Sequence, residues 1–144
     1  ADLWFARRNA SPALSVYGSK KLNEDVTVPR SALPELLEKF YSIADKYNVK
    51  IPCFGHTGDG NVHTNVMVDG KDPEQVNIAY QAIEEVFQAT VDLGGTLSGE
   101  HGIGLAKAPY MSMAFTPEEM ALFKSIKMAF DPNNILNPAK MGLN

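Results

Sequence analysis

Two short runs of alternating residues joined by a four-residue turn constrain this chain most. Lys50 to Gly55 and Asn61 to Val68 read as strands, and Thr57-Gly58-Asp59-Gly60 between them has the turn chemistry of a hairpin. A hairpin cannot bury its apolar face alone, so a second layer must pack on it. Segments on both sides of the hairpin can supply that layer.

Upstream, Asp25-Val26-Thr27-Val28-Pro29 alternates, is β-branched and ends at proline, as a strand would. Ser31 is placed to cap a following helix, where Leu33, Leu36, Leu37, Phe40, Ile43, Ala44 and Tyr47 form one apolar stripe and Asn48 closes the element. Downstream, Asp72-Pro73-Glu74-Gln75 is a helix start, and Val76, Tyr80, Ile83, Phe87 and Val91 supply its buried stripe. Gly94-Gly95 permits the left-handed stop, and Thr96-Leu97-Ser98 reads as a short fourth strand. The order βαββαβ predicts an α+β fold: a ferredoxin-like, split βαβ antiparallel sheet with its helices on one face and the other face free for a ligand or partner.

Outside that frame, Ala1 to Arg8 reads as the last turns of a helix, Ala13 to Tyr17 as a short strand and Gly18 to Asn23 as a solvated loop. Thr116-Pro117-Glu118-Glu119 opens a C-terminal helix carrying Leu122, Phe123, Ile126, Ala129 and Phe130, ended by Asp131-Pro132. The tail from Asn133 to Met141 is too polar and proline-punctuated for a strand or helix, and is read as a surface strap or part of a site. Residues 1–144 are expected to form one domain. The start at Ala1, without methionine and directly into Leu3-Trp4-Phe5, points to a fragment.

A formal charge of −4 with dispersed basic residues excludes a phosphate-tracking or anionic-membrane surface, so nucleic acid is not an expected partner. No apolar run approaches the roughly 18 residues of a membrane helix. The expectation is a cytoplasmic protein, peripheral to a membrane at most through a partner subunit. The single cysteine, Cys53, lies in the apolar run Ile51-Pro52-Cys53-Phe54 and reads as a small buried hydrophobe rather than a nucleophile, in a reducing compartment.

All three histidines fall in two glycine-rich segments, Gly55-His56-Thr57-Gly58-Asp59-Gly60-Asn61-Val62-His63 and Gly95-Thr96-Leu97-Ser98-Gly99-Glu100-His101-Gly102-Ile103-Gly104. A lone histidine in such a turn more often bonds the backbone; three beside a glutamate favour chemistry. If His56 ends one hairpin strand and His63 lies near the start of the next, both imidazoles converge. Glu100 would complete two imidazoles and one carboxylate, a facial set suited to Zn²⁺, Mn²⁺ or Fe²⁺ that leaves positions open for a bidentate substrate. Zn²⁺ is the expectation among these, although the donors alone do not name the metal. His101 is displaced from that coordination position and is the candidate general base. Asp59 reads as a turn residue. Arg7 and Arg8 are placed either to fork onto a substrate carboxylate or simply to be solvated. The glycines either supply positive-φ turns or let a ligand approach the backbone.

Together with Phe130-Asp131-Pro132-Asn133-Asn134-Ile135-Leu136-Asn137-Pro138, Glu24-Asp25-Val26-Thr27-Val28-Pro29-Arg30 and Leu3-Trp4-Phe5-Ala6-Arg7, these motifs resemble the C-terminal domain of FAD-linked oxidases. The resemblance covers essentially the whole chain and is strongest to the group of the glycolate oxidase D subunit, D-lactate dehydrogenase and D-2-hydroxyglutarate dehydrogenase. It implies an N-terminal FAD-binding domain of the vanillyl-alcohol oxidase type, which this chain does not supply, and makes the chain the substrate-side cap. By resemblance, His56, His63 and Glu100 match metal ligands, His101 the acid/base, Arg7 a carboxylate-binding arginine and Asn65 a substrate contact, while the Asn137-Pro138 tail returns to the flavin domain. The 2-hydroxyglutarate branch has a substrate-binding lysine where this chain holds Leu22 or Asn23, which favours a small substrate such as D-lactate or glycolate. The implied reaction carries a hydride from the 2-hydroxy acid to FAD and then electrons to an iron–sulfur subunit, a quinone or a flavoprotein carrier.

The competing expectation is a free-standing ferredoxin-like module for ligand binding or dimerisation, without redox activity. One geometric tension accompanies the metal reading. In an ideal ferredoxin-like sheet the second and fourth strands run oppositely, which would carry Glu100 away from His56. Either the fourth strand is short and its glycine-rich exit folds back over the sheet, or the strand order differs.

Overall fold

The computed structural model describes residues 2–143. In chain order its main elements are α1 (Asp2–Ala13), β1 (Lys20–Thr27), α2 (Leu33–Tyr47), β2 (Cys53–His56), β3 (Asn61–Val68), α3 (Pro73–Asp92), α4 (Met111–Ala114) and α5 (Pro117–Phe130). The strands form an antiparallel sheet in the order β1-β3-β2. The register assigns each face. Val26 pairs with Val62 and Leu22 with Val66, and all four pack in the core with α2 and α3; Asn23 pairs with Asn65 and Asp25 with His63 on the opposite, polar face. Phe54 pairs with His63, and His56 with Asn61, on that polar face too.

The core is one cluster in which Val26, Leu36, Val66, Val86 and Phe87 are fully enclosed. The apolar stripes of α2 and α3 face each other and the sheet because their periodicity places Leu36, Phe40, Ile43, Ile83 and Phe87 on inward positions. Apart from the start of α2, their ends follow the sequence. Asn48 stops α2 in a left-handed conformation, the Asp72 side chain accepts from the Glu74 and Gln75 amides at the start of α3, and Thr116 and Glu119 close a reciprocal capping box on α5.

Several local expectations are corrected. Ala13 to Tyr17 is not a strand: α1 runs through Pro12 to Ala13 and a 3₁₀ turn follows over Leu14–Tyr17. The expected loop before Asp25 is mostly the first half of β1, which starts at Lys20. Lys20 and Glu24 share the core-side face with Leu22 and Val26 there, so the usual apolar alternation is absent. Ser31 does not cap α2; a 3₁₀ turn over Arg30–Ala32 leads into it and Ala32 is its N-cap residue, with no side-chain bond. The stripe on α5 is not core, since Leu122, Ile126 and Phe130 are exposed. The tail is an exposed strap whose Met141 amide donates to the Gly104 carbonyl.

The fourth strand shrinks to a single bridge, Thr27 with Thr96, made by reciprocal backbone bonds of 3.3 and 2.8 Å. It lies on the far side of β1 from β3, as a ferredoxin-like order requires. Because the chain leaves the sheet immediately afterwards, Ser98 to His101 turn over the end of β1 that lies beside the hairpin turn. This resolves the tension over Glu100: the strand is short and its exit folds back.

Candidate metal and substrate site

His56 ends β2 and His63 is the third residue of β3, so the turn delivers both imidazoles to one side of the sheet. Their ring centres are 5.5 Å apart and nearly perpendicular. The returning loop adds Glu100, whose Oε1 lies 3.1 Å from His63 Nε2, 3.7 Å from His56 Nε2 and 4.0 Å from His101 Nε2. His101 stacks on His63 at 5.2 Å. The three histidines thus converge on one carboxylate oxygen.

Exposure divides their roles. The His63 side chain is buried, whereas those of His56, Glu100 and His101 are about half open to solvent. Burial holds His63 below the usual imidazole range, against the pull of Glu100 and Asp25. A neutral imidazole keeps the lone pair that a metal requires. The donor set of imidazole nitrogens and a carboxylate oxygen, open on one side, fits a divalent transition metal. Asp25, His63, Glu100 and His101 also each offer one ligand atom, all within 4.8 Å of one another. Of these, Asp25 has the least free capacity, because both its oxygens already accept protein donors.

In the sequence Asp25 opens a strand and belongs to the Glu24–Arg30 motif, with nothing local that marks it as part of the site. It is fully buried, and its Oδ2 accepts from Ser98 Oγ at 3.0 Å and from the backbone amides of Gly99, Glu100 and His101 at 2.9, 2.8 and 2.8 Å. Its Oδ1 accepts from Asn61 Nδ2 at 2.5 Å. Burial alone would push this carboxyl upward, but the bonds from His101, Asn61, Glu100 and Ser98 outweigh it and hold Asp25 well below the usual aspartate range. His63 Nδ1 lies 3.8 Å from Asp25 Oδ1, too far for a hydrogen bond.

Lys107, also missed, is buried and donates to the backbone carbonyls of Asp25 and Leu97, both at 2.7 Å, with Glu24 Oε2 at 3.8 Å. Burial pushes Glu24 up and Lys107 down, and each partly offsets the shift of the other. Parity along β1 could have revealed Asp25, because it shares a face with Asn23 and opposes His63; nothing in the local sequence marks Lys107. Gly99 is required by packing, since a Cβ there would lie 2.0 Å from Asn61 Nδ2 and 2.4 Å from Thr27 Oγ1. Its bareness admits the chain's own side chains rather than a ligand.

A cavity of about 250 Å³ adjoins the cluster and is lined by Arg7, Ser11, Asn23, Phe54, His63, Glu100 and His101. Arg7 reaches it from α1, its guanidinium carbon 5.6 Å from the centre of the Phe54 ring. Ser11 and Asn23 were not singled out from sequence. Asn65 is fully buried and does not line the cavity. It accepts from Asn23 Nδ2 at 2.8 Å and donates to the carbonyls of Pro52 and His63, so its link to the cavity runs through Asn23. Asn137 is exposed in the tail and is not among the lining residues. Cys53 is partly buried, and burial pushes its thiol up to about 11, which leaves no reactive thiolate near neutrality.

This chain belongs to the family described as FAD linked oxidases, C-terminal domain, which matches residues 1–141. Among its relatives, the glycolate oxidase subunit GlcD of Bacillus subtilis (strain 168) is 43% identical over 136 residues, covering 94% of this chain and 29% of that protein. D-lactate dehydrogenase of Anaerostipes hadrus is 36% identical over 121 residues, covering 81% of this chain and 25% of that protein. D-2-hydroxyglutarate dehydrogenase of Haemophilus influenzae (strain ATCC 51907 / DSM 11121 / KW20 / Rd) is 39% identical over 118 residues, covering 82% and 11%. The chain spans less than a third of the length of these relatives. No helix among the described residues is long and apolar enough to cross a membrane.

Proposed function

We propose that this chain is the substrate-side part of an FAD-dependent 2-hydroxy-acid dehydrogenase of the glycolate or D-lactate type. The carrying observation is the convergence of His56, His63 and His101 on Glu100 Oε1 beside a cavity that holds an arginine. In this reading His56, His63 and Glu100 hold a divalent metal, with Zn²⁺ the first candidate. Arg7 binds the substrate carboxylate through its fork of donors. His101, half exposed and next to Glu100 in the chain, takes the hydroxyl proton at an imidazole nitrogen. When bound, the metal would ease loss of that proton by polarising the hydroxyl, and FAD would accept the hydride from Cα.

A small substrate is favoured because Arg7 is the sole cationic side chain lining the cavity among the described residues; Asn23 supplies a neutral amide. Lys21, the nearest alternative cation along β1, donates to Ser11 Oγ at 2.6 Å. FAD would be held mainly by a separate FAD-binding domain of the same protein, with Asn137 in the tail as a candidate contact. Exposed Leu122, Ile126 and Phe130 on α5 and Trp4 and Phe5 on α1 offer apolar surface suited to such a neighbour. An iron–sulfur subunit is a further candidate partner.

The test joins this chain to its FAD-binding domain and follows flavin reduction by D-lactate and glycolate under anaerobic conditions. His101→Ala is expected to abolish reduction with FAD still bound. Normal reduction rates in that variant would remove His101 from the proton step.

A further inference from the structure

We propose that Asp25 is a positioning residue that sets Glu100 and His101 by gathering the backbone of residues 98–101 onto one buried carboxylate oxygen. The inference rests on the metal-site reading above and adds to it the device that holds the site together.

Four donors converge on Asp25 Oδ2: the Ser98 hydroxyl and three consecutive amides, those of Gly99, Glu100 and His101, all at 2.8–3.0 Å. Consecutive amides turned onto one anion form a nest, and a nest fixes the φ and ψ angles of the residues that build it. Fixing the backbone at Glu100 and His101 fixes the origin of their side chains. Ser98 strengthens the arrangement, since its Oγ accepts from the Gly102 amide at 2.7 Å while donating to Asp25. The loop is thus closed from both ends.

The anchor is itself immobilised. Asn61, at the first position of β3, donates to Asp25 Oδ1, to the Val26 carbonyl and to Thr27 Oγ1, which ties the carboxylate to both strands. Lys107 spans the Asp25 and Leu97 carbonyls, joining β1 to the departing chain where further ladder bonds of a fourth strand would lie. With only the Thr27–Thr96 bridge to hold it, residues 98–101 would otherwise be a free loop carrying half of the site. Asp25 acts through this backbone and is not itself a ligand, because five protein donors already occupy its oxygens.

Two measurements on the 144-residue chain test this. In the metal-free chain, amide hydrogen exchange at Glu100 and His101 is expected to be slow and to quicken at least about tenfold in both Asp25→Asn and Ser98→Ala, with amides in the centre of β3 unchanged. In titrations with Zn²⁺ and Co²⁺, both variants are expected to bind about 10- to 100-fold more weakly, with the visible spectrum of saturated Co²⁺ preserved. Ser98→Ala removes one of the four donors to Asp25 Oδ2 together with the acceptor of the Gly102 amide, leaves the carboxylate in place, and stands as the test should Asp25→Asn fail to fold. Unchanged exchange in Ser98→Ala overturns the proposal whatever the metal does, and so does an altered Co²⁺ spectrum in Asp25→Asn, which would make Asp25 a ligand. If the wild-type chain binds neither metal but the exchange effects appear, the metal reading fails and the positioning of the loop by Asp25 stands.

Discussion

Glu100 Oε1 and His63 Nε2 lie 3.1 Å apart although one residue comes from an irregular loop and the other from the central strand of the sheet. Neither segment could form this pair alone; the truncated fourth strand brings the loop back over the polar face.

Metal loading should depend on the hairpin half of that pairing. His56→Ala combined with His63→Ala is expected to weaken Zn²⁺ binding by more than about a hundredfold, because ligand loss should exceed the effect of removing an outer partner. Equilibrium dialysis against Zn²⁺ gives the answer. Equal zinc content in the wild type and the double variant would place the metal elsewhere.

Arg7 should act in substrate binding more than in chemistry. Losing a charge-assisted bond of about 2 kcal/mol predicts a KM for D-lactate or glycolate about thirtyfold higher in Arg7→Met, with kcat less affected. Arg7→Lys should be intermediate, since the charge remains but the fork is lost. The measurement is steady-state kinetics on the chain joined to its FAD-binding domain. A large fall in kcat at unchanged KM would contradict the assignment.

Two glycines of the site segments should respond oppositely to alanine. Gly99→Ala drives a methyl into Asn61 and Thr27 and is expected to cost about 1–3 kcal/mol as overpacking. Gly58→Ala has no neighbour within 4 Å of the added carbon and should stay within about 0.5 kcal/mol of wild type. Urea midpoints compare them, and equal midpoints would show that the 98–101 loop is not seated on Asn61 as described.

Acid should uncover Asp25. Its carboxyl is depressed in the folded chain, despite burial, by the bonds from His101, Asn61, Glu100 and Ser98. It therefore contributes stability that is present above the ordinary aspartate value of about 3.9 and is lost as pH falls further toward its folded value. The stability gap between wild type and Asp25→Asn should be widest near neutrality and narrow below about pH 4. Urea unfolding across that range measures it; a gap independent of pH would mean that folding leaves the Asp25 carboxyl unshifted, so that the bonds it accepts do not favour its ionised form.

Much of this was legible in the residues because local and tertiary preferences agree there. The hairpin, α2, α3 and the capping box of α5 carry their own periodicity and end signals, and the glycine-rich segments brought the histidines and Glu100 into view. Legibility failed where a strand carries charged residues on its inner face. Lys20 to Glu24 lack apolar alternation because charged Lys20 and Glu24 flank Leu22 on the inner face, where Glu24 meets buried Lys107, so the start of β1 has the composition of a loop. It failed again on α5, where Leu122, Ile126 and Phe130 have helical spacing yet face outward. Periodicity reports that a stripe is apolar and does not say what covers it. The contacts of Asp25 and Lys107 join residues remote in sequence, and no local pattern encodes them.

The single bridge that replaces the fourth strand has a consequence for how such a site can diversify. A full strand would tie residues 98–101 to the register of β1, where a one-residue insertion reverses every side chain. Here residues 98–101 are held instead through their backbone amides and the Ser98 hydroxyl on Asp25 and through the fit of bare Gly99 against Asn61 and Thr27, which leaves the side chains at positions 100 and 101 outside any strand register. Side chains at positions 100 and 101, whose backbone amides alone meet Asp25, can therefore change without disturbing the hairpin that carries His56 and His63.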